Sequence, residues 1–272
     1  MRVKILGAGV GAFHYLPDWH GNRYPPAFLV EWGKGEKLLF DCSQAVDQRL
    51  ESVGVDYASI HHVAISHAHP DHCVLIPFIQ SVYLKGLWGG EPFRNNQLCI
   101  YGPDSLIENI PTLWNVYIPD REGKYFDWPR LELIPVSTGE KKYTFGDAFL
   151  SARPTYHAFG KCDAVAYRLE TPEGIMAYSG DTGDCAGVRE IARDADLFIC
   201  EASARVGDFT SPKSYGHLNP YTVGDIAKNA NVKKVVLFHY TGFDNDDEII
   251  DDVKKAGFKG EVTMGKDFQE IS

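Results

Sequence analysis

The sequence predicts an α/β protein in which two β-sheets lie face to face with helices outside them, a four-layer αββα sandwich. Three observations predict it. Strand-like segments come in runs in both halves of the chain, and helical segments are interspersed among them. Helices of this kind can cover the outer faces of two packed sheets. The 272 residues are 44% hydrophobic and 24% charged, which allows a large core and argues against disorder. A single domain over residues 1–272 is expected.

Residues 3–7 read as a strand that enters a turn at Gly7. Residues 28–32 and 37–40 read as strands joined by the turn Gly33-Lys34-Gly35, and residues 45–53 look helical. Residues 62–65 form a short apolar run, a buried strand that delivers a histidine-rich stretch at its end. A helix is predicted from Asp71 to about Tyr83, because aspartate suits a first helical turn. A strand at 98–101 and a helix at 104–113 follow. Strands are then predicted at 130–136, 143–145, 148–155, 164–170 and 175–179. The last third reads as helix 186–193, strand 197–200, helix 221–229, strand 235–238 and helix 246–256.

Two long loops are rich in aromatic residues. Residues 8–26 carry His14, Tyr15, Trp19, His20 and Tyr24, and residues 85–128 carry Trp88, Phe93, Trp114, Tyr117, Tyr125, Phe126 and Trp128. Such rings can fill a secondary core, the commoner use, or form a wall or lid over a substrate pocket.

Bulk properties exclude some functions. The net charge of −10 argues against a broad basic surface that grips nucleic acid by its phosphates, though it leaves room for a local basic patch. No apolar run is long enough for a membrane span, and the start is broken too early for a signal peptide. Six scattered cysteines without a CxxC pair suggest reduced thiols in a cytoplasm.

The chemistry concentrates in Ser66-His67-Ala68-His69-Pro70-Asp71-His72. His67 and His69 are two apart, so in extended chain they point the same way and can bite one cation. Asp71 and His72 follow a proline turn and can face a second cation nearby. A lone histidine is more often structural than a ligand, but four donors in six residues after an apolar strand reverse that expectation. Imidazole and carboxylate together suit zinc, with manganese or iron as alternatives.

His67-x-His69-x-Asp71-His72 resembles the signature of the metallo-β-lactamase-fold superfamily, and the resemblance runs over nearly the whole chain. It implies that His157 in Pro-Thr-Tyr-His joins His67 and His69 on one metal. It also implies that Asp71, His72 and His239, the last in Val-Val-Leu-Phe-His, hold a second, and that Asp181 in Tyr-Ser-Gly-Asp bridges the two. Taken alone, each later residue could simply cap a turn. Asp41, in Leu-Leu-Phe-Asp-Cys, resembles the early family aspartate that supports the site from behind. Two such cations, zinc first among the choices, would share a bridging hydroxide at neutral pH, with Asp71 also able to accept its proton. His69 stands where the flavodiiron branch has glutamate, so redox chemistry is not implied.

Glu201 in Cys-Glu-Ala-Ser and His217 in Tyr-Gly-His-Leu-Asn resemble a pair in the ribonuclease Z-like branch. There the histidine meets the scissile phosphate and the glutamate orients it. The plainer readings are a loop histidine and a buried, paired carboxylate. Transfer-RNA-processing members carry a basic arm between later strands. The short connections between Asp147 and Ala177 leave no room for one, and Gly7-Ala8-Gly9-Val10-Gly11 departs from the branch's usual first turn. The sequence therefore points to a metal-dependent hydrolase, a phosphodiesterase acting on a small anionic diester or short nucleic acid, and away from tRNA. A carboxylic ester, thioester, lactone or sulfate ester is the alternative substrate. A non-catalytic metal-binding regulator is the remote alternative. A homodimer is implied by resemblance alone.

Overall fold

Fourteen strands form among the described residues and pair into two seven-stranded sheets. These residues, 1–11, 23–89, 97–117, 130–136, 141–204, 216–240 and 245–272, are taken from a computed structural model of the chain. The first sheet holds β1 (Arg2–Gly7), β2 (Ala27–Trp32), β3 (Glu36–Phe40), β4 (His62–Ala64), β5 (Gln97–Gly102) and β6 (Arg130–Pro135) in chain order. The second holds β7 (Tyr143–Phe145), β8 (Ala148–Pro154), β9 (Val165–Thr171), β10 (Gly174–Tyr178), β11 (Leu197–Glu201), β12 (Lys234–Phe238) and β13 (Glu261–Met264), also in order. A last short strand, β14 (Glu270–Ile271), returns to the first sheet beside β1.

Both sheets are built by one rule. Each starts with antiparallel strands, β1 to β3 and β7 to β10, and continues with parallel ones. Parallel neighbours need a crossover, and a helix is the usual one. The crossovers here carry α1 (Val46–Ser52), α2 (Leu75–Gly89) and α3 (Asp104–Tyr117) on the first sheet. On the second they carry α4 (Ala186–Ile191), α5 (Pro220–Asn229) and α6 (Asp246–Lys255).

Three apolar clusters give the four layers. The central one lies between the sheets, where Phe28 stacks on Phe40 at 4.9 Å and meets Tyr178 and Phe238 edge-on. One outer cluster joins the second sheet to α4–α6, and the other joins the first sheet to α1–α3. Strand β2 is buried at every residue but Glu31, as a strand covered on both faces must be. The expected αββα sandwich is therefore the fold.

The structure corrects one element and adds two. No helix opens at Asp71; α2 begins at Leu75. The backbone before it is already committed, because Cys42 N donates to His72 O and Val74 N donates to Cys42 O. Strands β13 and β14 were not expected from the sequence. Among the loop aromatics, Trp114 packs against the outer core and Tyr117 is exposed. Tyr24 meets Phe268 edge-on at 5.5 Å. His14, Tyr15, Trp19, His20, Phe93, Tyr125, Phe126, Trp128 and the side chain of Trp88 lie outside the described residues.

Candidate metal centre

The histidines and acids singled out in the sequence meet at one edge of the sandwich. Five of them lie just past the end of a strand. Asp41 follows β3, His67 follows β4, His157 follows β8, Asp181 follows β10 and His239 follows β12, while Glu201 closes β11. The carboxyl ends of parallel strands are where α/β sheets commonly place a site. After β4 the chain turns tightly, with His72 N and Cys73 N both donating to His69 O at 2.9 Å. That turn brings Asp71 and His72 back beside His67.

Two clusters result. His67, His69, His157 and Asp181 form one, and Asp71, His72 and His239 form the other, with donor atoms within 4.8 Å of one another in each; Asp181, His217 and His239 make a third such group that overlaps both. Asp181 faces both. Its Oδ2 lies 3.9 Å from His67 Nε2 and 3.8 Å from His157 Nε2. Its Oδ1 lies 3.4 Å from His72 Nε2 and 3.2 Å from His239 Nδ1. His239 Nε2 lies 3.4 Å from Asp71 Oδ2.

Hydrogen bonds behind the rings decide which atoms face inward. His72 Nδ1 lies 2.7 Å from Asp41 Oδ2, and His157 Nδ1 lies 3.0 Å from Gly216 O. Both partners accept, so in both rings Nδ1 donates and Nε2 is turned inward, the orientation that histidine ligands usually have. Asp41 is fully buried. It also accepts from Ser66 N at 2.7 Å, Ser66 Oγ at 3.0 Å and Tyr178 OH at 2.5 Å.

Three inward atoms, His67 Nε2, His72 Nε2 and Asp181 Oδ1, are buried without a hydrogen-bond partner. Unsatisfied buried polar atoms are costly and rare, and several converging on one point are what a cation would satisfy. Burial and the neighbouring His72 ring hold His67 well below the usual histidine range, and burial also lowers His69. Both therefore keep their lone pairs at neutral pH. Burial opposes charge on Asp181 and Asp71, yet the surrounding His239 and His72 hold both below the ordinary carboxylate range. Two carboxylates and five imidazoles make a donor set suited to a divalent cation.

Glu201 and His217 sit next to these clusters. His217 Nδ1 lies 3.0 Å from both Glu201 oxygens. Glu201 is fully buried and also accepts from Thr182 N at 2.6 Å and Ser203 N at 3.1 Å. His217 stacks near His239, with ring centroids 5.9 Å apart. Burial disfavours its charge, but the Glu201 carboxylate outweighs burial, and His217 is raised to about 9. Its folded pKa therefore lies above the unfolded value of about 6.5. In the metal-free protein the pair stabilises the fold fully below that value and loses its contribution as pH rises through about 9. Nearby cations would oppose this rise by repelling the imidazolium.

Some residues that touch these clusters carry no signal in the sequence. Ser203 Oγ lies 2.8 Å from His239 Nδ1, and Tyr178 reaches Asp41 across the central core. Gly216 has φ +76°, and a Cβ there would lie 2.6 Å from the Cα of His157. Gly11 approaches just as closely, since its Cβ would lie 2.3 Å from that of Asp71. The glycine-rich start thus serves close packing against the metal-binding turn.

Comparison with known proteins agrees with this geometry. Residues 36–240 match the family model described as Beta-lactamase superfamily domain. A ribonuclease Z of Streptomyces avermitilis is 24% identical over 299 residues, covering 100% of this chain and 98% of that protein. The metallo-beta-lactamase fold protein YhfI from Bacillus subtilis superposes with a TM-score of 0.80 at 24% identity, over 99% of this chain and 98% of that one. Human tRNase Z, short form, superposes with a TM-score of 0.72 at 21% identity, over 100% and 99%. The expectation against tRNA finds no support in these relatives, although β8–β9 and β9–β10 are joined by short connections. A matched family model over most of the chain, a shared four-layer fold and a His/Asp cluster suited to a divalent metal lead to one conclusion: the chain belongs to the beta-lactamase superfamily and has the metallo-beta-lactamase fold.

Proposed function

We propose that this metal-dependent hydrolase cleaves phosphodiesters, with a small diester or short nucleic acid as substrate. The observation that carries the reading is the His217–Glu201 pair. A buried carboxylate held by two backbone amides grips Nδ1 of an imidazole beside the metal-binding cluster. With Nδ1 engaged, Nε2 is left to meet the substrate. A positively charged His217 would bind a non-bridging phosphoryl oxygen or give its proton to the departing alkoxide. A thioester, whose thiolate leaves without a proton, has less need of such a group.

In this reading His67, His69 and His157 hold one divalent cation, and Asp71, His72 and His239 hold a second. Asp181 lies between them, and zinc is the first choice of metal. When bound, such ions supply an activated water at neutral pH and neutralise charge on the attacked group. Asp71, at the more open side of the cluster, would accept the proton of the attacking water. Ribonuclease Z relatives that span the whole chain support a phosphodiester substrate. Their names leave a tRNA substrate open beside a smaller one.

The test is a substrate panel on protein of measured metal content. Metal-dependent turnover of bis(p-nitrophenyl) phosphate is expected, with little action on thioesters or lactones. The opposite pattern would replace this reading with a carboxylic ester hydrolase. His217→Ala should lower kcat for the phosphodiester by roughly 10²–10⁴, the usual contribution of a general acid. Retention of full kcat would remove His217 from the reaction.

A further inference from the structure

Two charged side chains close the base of the segment between β1 and β2. Asp267, in the turn before β14, reaches it from the far end of the chain. Its Oδ1 accepts from Ala8 N at 3.0 Å, and its Oδ2 accepts from Tyr24 N at 2.7 Å. Arg49 of α1 is buried and ties the same two stems. Its Nη1 donates to Leu6 O at 3.2 Å and to Pro25 O at 2.8 Å. The stems also bond directly, with Gly9 N donating to Tyr24 O at 2.9 Å. Burial pushes the Asp267 carboxyl above the ordinary aspartate range, although the two amides and the charges of Arg49 and Arg23 favour its ionised form. Taking charged groups out of water costs free energy, and β1 and β2 already pair through their own backbones. The clamp therefore holds something besides the two strands.

What it holds is the short run Ala8–Gly11, which leaves β1 and meets the cluster of Asp71, His72 and His239 twice. Gly9 pairs with Tyr240, the residue after His239. Gly11 N donates to Asp71 Oδ2 at 3.3 Å. That oxygen is turned to the cluster, 3.4 Å from His239 Nε2 and 3.8 Å from His72 Nε2. Gly11 does not have a left-handed φ, and a Cβ there would lie 2.3 Å from the Cβ of Asp71. Glycine is thus required at this position by close approach and not by backbone freedom.

We propose that Asp267 is a positioning residue, which holds the Gly11 amide on Asp71 and so fixes the ligands of the second cation. The inference rests on the two-cation reading above. A carboxylate can turn either oxygen to a metal. An oxygen with two lone pairs can take an amide proton and a cation together, so the Gly11 amide selects Oδ2 as the ligand atom. Asp267 acts only through that amide.

The test is a metal titration, which needs no turnover. Metal-free protein is titrated with zinc by calorimetry, and the step lost in His239→Ala is assigned to the second cluster. Asp267→Asn should weaken that step about tenfold, the lower end for a partner behind a ligand, and leave the other step unchanged. The asparagine nitrogen would face one of the two backbone N–H groups that the carboxylate accepts from. Gly11→Ala should weaken the same step by as much, because its methyl group displaces Asp71. The double variant should be no weaker than the weaker single one, as expected of residues that act through one contact. A purely structural Asp267 would lower Tm and either leave both affinities as they are or weaken both steps alike. Each of those results would overturn the proposal, and so would additive losses in the double variant. A single step in the wild type would instead remove the two-cation reading, and this inference with it. Inert bis(p-nitrophenyl) phosphate would count against the phosphodiester reading alone.

Discussion

Asp181→Asn is expected to fold and to lose hydrolysis by roughly 10³-fold or more, with fewer metal ions retained per chain. The carboxylate faces His67, His157, His72 and His239 at once, at 3.2–3.9 Å. It is almost fully buried, so its charge acts across a poorly screened space. Two cations held at these clusters would repel each other, and Asp181 supplies the anion between them. Asparagine keeps the shape and removes the charge. Charge stabilisation at such sites contributes several kcal/mol, and each 1.36 kcal/mol is about tenfold in rate. Metal analysis after gel filtration, together with kcat/KM on bis(p-nitrophenyl) phosphate, would check both parts. Wild-type metal content and turnover in the variant would show that Asp181 does not join the two clusters. Asp181 also bears on acid stability. Its carboxyl is held below the usual range although burial opposes its charge, because His239 and His72 surround it. In the metal-free protein it therefore contributes stability above the ordinary aspartate pKa, which is lost as pH falls through its folded value.

The second large effect is expected at Asp41, which touches no substrate. Asp41→Asn should weaken metal binding about 10–100-fold, the usual result of removing a partner behind a ligand, and should lower Tm by several degrees. Oδ2 of Asp41 accepts from His72 Nδ1, Ser66 Oγ and Tyr178 OH together. An amide nitrogen in its place would point donor at donor. Turning the amide over would instead set the nitrogen against Ser66 N. Asparagine tolerates the left-handed φ of 54° at this position, so the loss would come from the hydrogen bonds and not from the backbone. Breaking one member of a buried charged network typically costs about 3–5 kcal/mol. A competition titration with a chromogenic chelator gives the metal affinity, and calorimetry gives Tm. If neither moved, His72 would have to be oriented by something other than Asp41.

The metal-binding stretch was legible because its chemistry is local. Four donors within six residues, delivered by an apolar strand, need no knowledge of distant chain. Most strands and helices were legible for the same reason, since their apolar runs and periodicities are short-range properties. Two kinds of feature were not. Strands β13 and β14 exist through their pairing with β12 and β1. Glu261–Met264 has a partly exposed, weakly apolar pattern, and Glu270–Ile271 has only two residues, so neither announces itself. The start of α2 lies at Leu75 and not at Asp71 because the backbone of residues 72–74 is claimed by Cys42, thirty residues away in sequence.

The site divides in the same way. The chain alone determined the apolar strands, the layered α/β class and the His67–His72 donor set, because side-chain chemistry and near-neighbour spacing suffice for these. Tertiary structure alone decided that Asp181 faces both clusters, that Asp41 aims His72 with help from Tyr178, and that Glu201 grips His217. Each of these depends on groups 16 to 137 residues apart coming within 3.9 Å of one another. Only packing two sheets and covering them with helices brings such groups together.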